Sequence, residues 1–528
     1  MNSEDDQKQS HRETSADRVG MGRRRFTALA GALSIPLVGC AEDGGNATDT
    51  DETPTSMSTD SPTATDTRTP TEEPTLTETE EPTPTEEPEP GDSDGRYGTP
   101  EDPIASPVGL ETVVSGLDQP IDVVFLPESD LIYLVSRPGT IMVYDGDGIR
   151  DEPLLDISDQ TLTGGERGLL GIEPHPEFAD NGRLFVRYSG ERREGTPTDY
   201  SHTFLLAEFQ VDDSQLSADP DSERTIMEIP EPQDNHNAGD LAFGPDGYLY
   251  VPVADGGNEF DIGPGHVEDW YEFNEGGNAQ NTEENLLGGM VRIDVDSDPT
   301  RHSRTDADAP ADPPGNGDGY AVPADNPLVD LDGHYDELYA WGLRNPFRMS
   351  FDGDRLFVGQ VGEHQWESVF LVEKETNCGW NVREGSHCFD ATDDYNTPNS
   401  CPTKVPDDVR NGEEISDPVL EYLNARNGQL DTDNHLTGVS VVGGYVYRGS
   451  AIPELRERYV FGDLAPGGRL FVGTPPGDGG DGWGMNHVEL TDEAASKLAQ
   501  ITAFGRDDDG EIYVVDGSGS LFRLVSGS

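Results

Sequence analysis

One short unit recurs six times in this chain: a polar turn followed by a run of β-branched and aromatic residues. Phe125-Leu126-Pro127-Glu128-Ser129-Asp130 precedes Leu131-Ile132-Tyr133-Leu134-Val135, and Asn181-Gly182 leads into Leu184-Phe185-Val186. Phe243-Gly244-Pro245-Asp246-Gly247 leads into the run from Tyr248 to Val253, and Phe351-Asp352-Gly353-Asp354 into Leu356-Phe357-Val358-Gly359. Leu455-Arg456-Glu457-Arg458 precedes Tyr459-Val460-Phe461-Gly462-Asp463, and the Asp-rich turn ending at Gly510 precedes Ile512-Tyr513-Val514-Val515-Asp516. After several copies a second short strand follows a Gly turn, as in Gly139 to Tyr144 and Gly519 to Leu524. Gly, Asp and Pro set the turns, and the apolar runs suit buried strands. A small sheet of this kind cannot bury both faces alone, whereas sheets stacked in a ring share one core. The expectation is an all-β, six-bladed β-propeller over residues 101–528, one blade per copy; a β-sandwich with coincidental turns is the competing fold. No long segment shows a helical period.

The region before it is of a different kind. Gly22-Arg23-Arg24-Arg25-Phe26-Thr27 precedes an apolar run from Ala28 to Val38 that is too short for a comfortable transmembrane helix. Paired arginines before such a run suggest a twin-arginine export signal. Leu37-Val38-Gly39-Cys40 resembles a lipobox, in which Cys40 carries the lipid. Residues 1–40 are therefore expected to be a lipoprotein signal peptide. Residues 41–100 are Thr, Pro, Glu, Asp and Ser with almost nothing to bury, which predicts a disordered, self-repelling linker. The protein is expected outside the cytoplasm, at the cell surface, anchored to the membrane through Cys40.

The chain has 105 acidic against 34 basic residues, a net charge of −71, and its lysines are only Lys8, Lys374, Lys404 and Lys497. The acidic residues run throughout rather than in one patch, so they fit a surface solvated for high salt better than an acidic partner face. Nucleic acid is excluded as a partner, because phosphate binding needs a basic stripe. Of the other cysteines, Cys388 and Cys401 flank a polar Asp/Asn-rich loop and are the candidate disulfide of an exported domain. Cys378 lies beside Trp380 in an apolar context and reads as a buried thiol. The Asp-rich runs Asp145-Gly146-Asp147-Gly148 and Asp294 to Asp298 would suit a calcium-dependent hydrolase, but neither has EF-hand spacing, and both read as turns.

The chemistry concentrates around Asn235-His236-Asn237-Ala238-Gly239-Asp240, just ahead of the Phe243 copy. His236 stands on a loop or strand end, and Asp255 closes the following strand, where it can fold back to hold the imidazole. A histidine whose second nitrogen is held by a carboxylate is suited to general-base work. The plainer reading is a hydrogen-bonded structural histidine in a blade turn.

Several further motifs carry a resemblance. Gly164-Gly165-Glu166-Arg167-Gly168-Leu169-Leu170-Gly171, His175-Pro176-Glu177-Phe178 and Gly277-Asn278-Ala279-Gln280-Asn281 occur in one order with Leu287 to Asp294. Tyr339 to Phe347, Gly359-Gln360-Val361-Gly362 and Asn377-Cys378-Gly379-Trp380 follow. Together with the His236 segment they resemble the soluble glucose/sorbosone dehydrogenase family, whose members use pyrroloquinoline quinone (PQQ) and calcium on a six-bladed propeller. The resemblance implies an aldose dehydrogenase that passes hydride from the anomeric carbon to the quinone and electrons on to a membrane acceptor. It makes His236 the base and Asp255 its partner. It places Glu166, Asn235, Arg344, Asn345 and Gln360 around PQQ, and Val361 and Gly362 where backbone carbonyls hold calcium.

The chain departs from that pattern at charged positions. PQQ carries three carboxylates, which are costly to bury without cations. The expected lysine is absent from Asp463-Leu464-Ala465-Pro466-Gly467-Gly468-Arg469, Gln500-Ile501-Thr502 stand where an arginine pair is expected, and Glu166 replaces a glutamine. Gly385-Ser386-His387-Cys388-Phe389 and Val442 to Gly449 look more like the Hedgehog-interacting-protein-like branch. The alternative function is thus a non-catalytic, calcium-dependent propeller that binds carbohydrate or protein.

Overall fold

The computed structural model describes residues 104, 106–127, 129–274, 276–297, 319–392, 397–425, 436–476 and 482–527. The arginine-rich segment, Cys40 and the 41–100 linker lie outside the described residues.

Six antiparallel sheets form the blades of a propeller. The first holds Pro120–Phe125, Ile132–Ser136, Thr140–Tyr144 and Leu155–Asp156, and the second Leu169–Pro174, Arg183–Gly190, His202–Gln210 and Arg224–Glu231. The third holds Ala242–Phe243, Leu249–Pro252, Gly289–Ile293 and Leu338–Trp341. The fourth holds Pro346–Asp352, Arg355–Gln360, Trp366–Val372 and Leu420–Asn424, with Thr437–Gly438 added in parallel. The fifth holds Val441–Val446, Tyr459–Asp463, Arg469–Thr474 and Gly484–His487. The sixth joins Ile501–Arg506, Ile512–Asp516 and Ser520–Ser526 to Val108–Ser115, from the other end of the ring. Every copy of the repeated unit falls on the second strand of a blade. The expected strands after Gly139 and Gly519 are the third strands of their blades. The helices of the described residues are as short as Phe178–Asn181 and Asp492–Lys497.

The apolar residues of these strands pack between blades. Six buried clusters each bridge two neighbours. Tyr133 and Ile141 of the first blade meet Val186 and Phe209 of the second, and Phe185 and Phe204 meet Leu249 and Val291 of the third. Tyr250 and Met290 meet Met349 and Val358, and Phe357 and Tyr422 meet Tyr459 and Phe471. Val460 and Val472 meet Val514 and Phe522, and the sixth blade meets the first through Val515, Leu521, Val123 and Leu134. Each blade thus buries both faces, which no blade could do alone.

Buried polar groups bind the same seams. Arg348 on the first strand of the fourth blade donates from Nη1 to the Leu170 and Gly239 carbonyls at 2.9 and 3.1 Å, reaching across the axis. Glu367 joins the fourth and fifth blades: its Oε2 accepts from the Val441 amide (2.9 Å) and its Oε1 from Asn424 Nδ2 (2.8 Å). Burial, reinforced by the nearby Asp463 carboxylate, pushes the Glu367 pKa up to about 8.

A raised carboxyl pKa means that the folded state holds a proton that the unfolded chain releases. The stability this contributes is present below the ordinary value of 4.5 and is lost as pH rises toward about 8. The melting temperature in high salt should therefore fall across that window, and Glu367→Gln should flatten the fall. An unchanged slope in the variant would show that Glu367 is already ionised in the fold.

Candidate active site at the mouth of the propeller

In an antiparallel blade the start of the first strand and the end of the second lie at the same end of the ring. The segments at these positions carry all the candidate residues: Glu166 before the second blade, His236 before the third, Asp255 after Leu249–Pro252, Arg344 and Asn345 before the fourth, and Gln360 to Gly362 at the end of Arg355–Gln360.

His236 has φ = +52°, and Ala238 has φ = +51°. Two non-glycine residues in the left-handed region mark a loop held by its surroundings. His236 is buried, and its Nδ1 lies 2.7 Å from Asp255 Oδ1. Asp255 is fully buried, and three donors converge on it. The Gly257 amide reaches Oδ1 at 3.0 Å and Trp380 Nε1 reaches Oδ2 at 2.9 Å, beside the imidazole. Burial raises the Asp255 pKa, but the charge and hydrogen bond of His236, with Arg344 beyond, outweigh it and hold the carboxyl below its usual range. In the neutral ring, an ionised Asp255 keeps the proton on Nδ1 and leaves Nε2 as the lone-pair nitrogen. Among the described residues no group hydrogen-bonds Nε2.

The surrounding bonds bring most of the predicted residues together. The Asp255 amide donates to the Arg344 carbonyl at 2.9 Å. Asn345 Oδ1 accepts from the Ala238 amide (3.0 Å), and its Nδ2 donates to Glu166 Oε2 (3.2 Å), which also accepts from the Asn237 amide (3.1 Å). Gln360 Oε1 accepts from the Arg344 amide at 3.3 Å. Asn235 serves the neighbouring loop instead, accepting from the Asn258 amide at 3.3 Å. Cys388 and Cys401 are bonded, with an S–S distance of 2.10 Å, and Cys378 is a buried free thiol whose pKa burial pushes up. The Asp145 and Asp294 runs are turns in which the first carboxylate accepts from amides two and three residues on.

Four residues of this site were not singled out for these roles in the sequence. Trp380 holds Asp255. Asn278 donates to the Asp255 carbonyl at 2.8 Å and props the loop that follows it. Arg137 Nε donates to the Arg167 carbonyl (3.0 Å), shaping the loop that presents Glu166. Glu363 is the most consequential. Arg344 Nε and Nη2 donate to Glu363 Oε2 at 2.9 and 2.7 Å, and the Phe260 amide reaches the same oxygen at 3.3 Å. The only forewarning was its place directly after Gly362.

These contacts test the fit of the cofactors. The fork of Arg344 is closed on Glu363, and its Nη1 donates to the Val361 carbonyl at 3.3 Å, so a calcium ion on that oxygen would meet a guanidinium. The Gly362 amide is turned to Glu367 Oε2 at 3.3 Å. Arg469 Nη1 is held by Thr437 Oγ1 at 2.8 Å, and Gln500 Nε2 by the Leu464 carbonyl at 3.3 Å. Among the described residues no group of three or more His, Cys, Asp or Glu side chains is arranged to hold a metal ion. With Arg344 closed on Glu363 and the Glu166 carboxylate beside Asn345, the residues in this arrangement do not fit a tricarboxylate quinone.

Residues 117–311 and 316–523 match the Glucose / Sorbosone dehydrogenase family, and the chain belongs to it. Among curated proteins it is similar to the HIPL1 protein of Arabidopsis thaliana, with 27% identity over 75% of this chain and 60% of that protein. It is 26% identical to human Hedgehog-interacting protein, over 79% of this chain and 51% of that one. The chain thus spans less than two thirds of these relatives' length. Aldose sugar dehydrogenase YliI of Escherichia coli is 23% identical over 52% of this chain and 62% of its own. A PQQ-bound aldose sugar dehydrogenase from Streptomyces coelicolor shares the fold, with a TM-score of 0.53 and 19% identity, over 81% of this chain and 100% of that one.

Asp255→Ala would strand the His236 ring, the Trp380 indole and the Gly257 amide as buried donors. Unsatisfied buried groups cost about 1–3 kcal/mol each, so the variant should lose roughly 3 kcal/mol or more of stability. Denaturant unfolding in high salt measures this, and a loss below about 1 kcal/mol would mean that the three donors find water.

Proposed function

We propose that the mouth is a carbohydrate site in which His236 Nε2 accepts the proton of one sugar hydroxyl. The observation that carries this reading is the His236–Asp255–Trp380 arrangement. A carboxylate buried behind the imidazole is costly to keep, and it leaves the other ring nitrogen with no hydrogen-bond partner among the described residues. A neutral polyol supplies the hydroxyl donor that this nitrogen lacks, and it brings no further charge to the neighbourhood of Glu166 and Glu363. The ligand class is therefore a neutral carbohydrate, held by hydrogen bonds from a propeller that need not carry out chemistry.

Oxidation of an aldose is the second reading. Family membership and the same Nε2 favour it, since a base at that place would take the hydroxyl proton, and a quinone, if bound, would supply the hydride acceptor. The closed Arg344–Glu363 pair weighs against it, and so does the likeness to the Hedgehog-interacting branch. The proposal extends to the cell: an exported protein, lipidated at Cys40 and carried off the membrane on the 41–100 linker, with a surface suited to high salt.

Calorimetric titration with a panel of neutral aldoses should give saturable binding, and His236→Ala, compared at a temperature where it stays folded, should weaken it by about tenfold or more. Heat-silent titrations with every sugar would overturn the reading. Dye reduction that depends on aldose, PQQ and calcium would promote the dehydrogenase to first place. Cys40→Ala should move the protein from the membrane to the soluble extracellular fraction, and membrane retention would remove the lipid anchor from the proposal.

A further inference from the structure

We infer that Glu363 sets the charge selectivity of the mouth: by closing Arg344 it turns away a tricarboxylate quinone and leaves the site to neutral ligands. This rests on the reading of the mouth as a sugar site and names the residue that decides what enters it.

The pair is deeply placed. The side chain of Glu363 is 1% exposed and that of Arg344 5%. Both N–H groups of one edge of the guanidinium point at a single carboxylate oxygen, and Nη1 is spent on the Val361 carbonyl. Trp380 covers the ion, with its ring centroid 5.4 Å from the guanidinium carbon. Glu363 cannot easily swing away, because the Phe260 amide holds the same oxygen as Arg344 does. The loop beneath it is tied down as well: Glu384 Oε1 accepts from the amides of His364, Gln365 and Trp366 at 2.9, 2.8 and 3.0 Å.

An anionic ligand that drew on Arg344 would leave the Glu363 charge buried and unpaired. Separating a buried ion pair in this way is among the larger penalties a site can impose. Glu166, on the facing loop, adds repulsion of the same sign, and Arg137 is turned to backbone carbonyls of that loop. A neutral sugar leaves the pair undisturbed. The inference thus concerns binding, and a quinone titration reads it without any turnover.

The test is PQQ titration of the full chain, with calcium and in high salt, followed by quinone absorbance and by calorimetry. Wild type should bind PQQ about a hundredfold more weakly than Glu363→Gln, the factor expected for relieving a buried charge of its partner. The paired change Arg344→Met/Glu363→Leu removes both charges together, which buried pairs commonly tolerate, and should bind as weakly as wild type. Equal affinity of wild type and Glu363→Gln would overturn the assignment. If the glutamine variant fails to fold, the paired variant decides: binding about tenfold weaker than wild type would show that Arg344 already serves the quinone. Sugar titration of the wild type keeps the two proposals apart. Sugar binding with unaltered quinone affinity in Glu363→Gln sinks the role of Glu363 alone, whereas a gain of quinone affinity with no sugar binding sinks the sugar site alone.

Discussion

The ring exists because two distant segments pair. Val108–Ser115 runs antiparallel to Ser520–Ser526, with Leu110 opposite Leu524 and Thr112 opposite Phe522, and becomes the fourth strand of a blade whose other strands end the described chain. The hydrophobic seam between the sixth and first blades can form only once this closure brings them side by side. Without it the ring would leave two blade faces and a strand edge open to water. Everything at the mouth is downstream of that closure, because its residues arise from separate blades and meet only when the blades are in register around the axis.

The mouth shows how few interactions then decide chemistry. Asp255 receives an imidazole, an indole and an amide, and this convergence leaves one ring nitrogen of His236 free for a ligand. A second carboxylate, Glu363, does the opposite: it consumes the arginine that would otherwise greet an anion. Two buried carboxylates near the same arginine thus pull the site in different directions. One prepares a proton acceptor, and the other limits what can be brought to it. The chain carries the family's fold, and its own Asp255 and Glu363 set the charges around the mouth, as expected when function resides in the site rather than in the scaffold.

Much of the architecture was legible in the sequence because the repeat is local. Each copy, such as Phe243 to Val253, carries its own turn and its own strand, and these need no distant partner to be recognised. His236 and Asp255 were legible for a related reason: they bracket one such unit. Arg344 and Asn345 were visible as a motif, but the partner of Arg344 was not. Glu363 follows Gly362 in the chain like any acidic residue of an acidic protein, and only the turn around Glu384 brings its side chain against the guanidinium. Arg137 and Trp380 escaped in the same way, since their roles come from loops of other blades folding over the site.

The sequence by itself determined the all-β class, the number of blades, the strand that each repeat forms and the candidate base with its carboxylate. These follow from turn chemistry and apolar alternation, which act over a handful of residues. The tertiary structure alone decided which strand closes the ring, which groups hold Asp255 and whether Arg344 stands free. Ion pairing and burial depend on where the loops come to lie, across 19 residues for Arg344 and Glu363 and 125 for Asp255 and Trp380, and such distances are properties of the closed ring rather than of any stretch of chain.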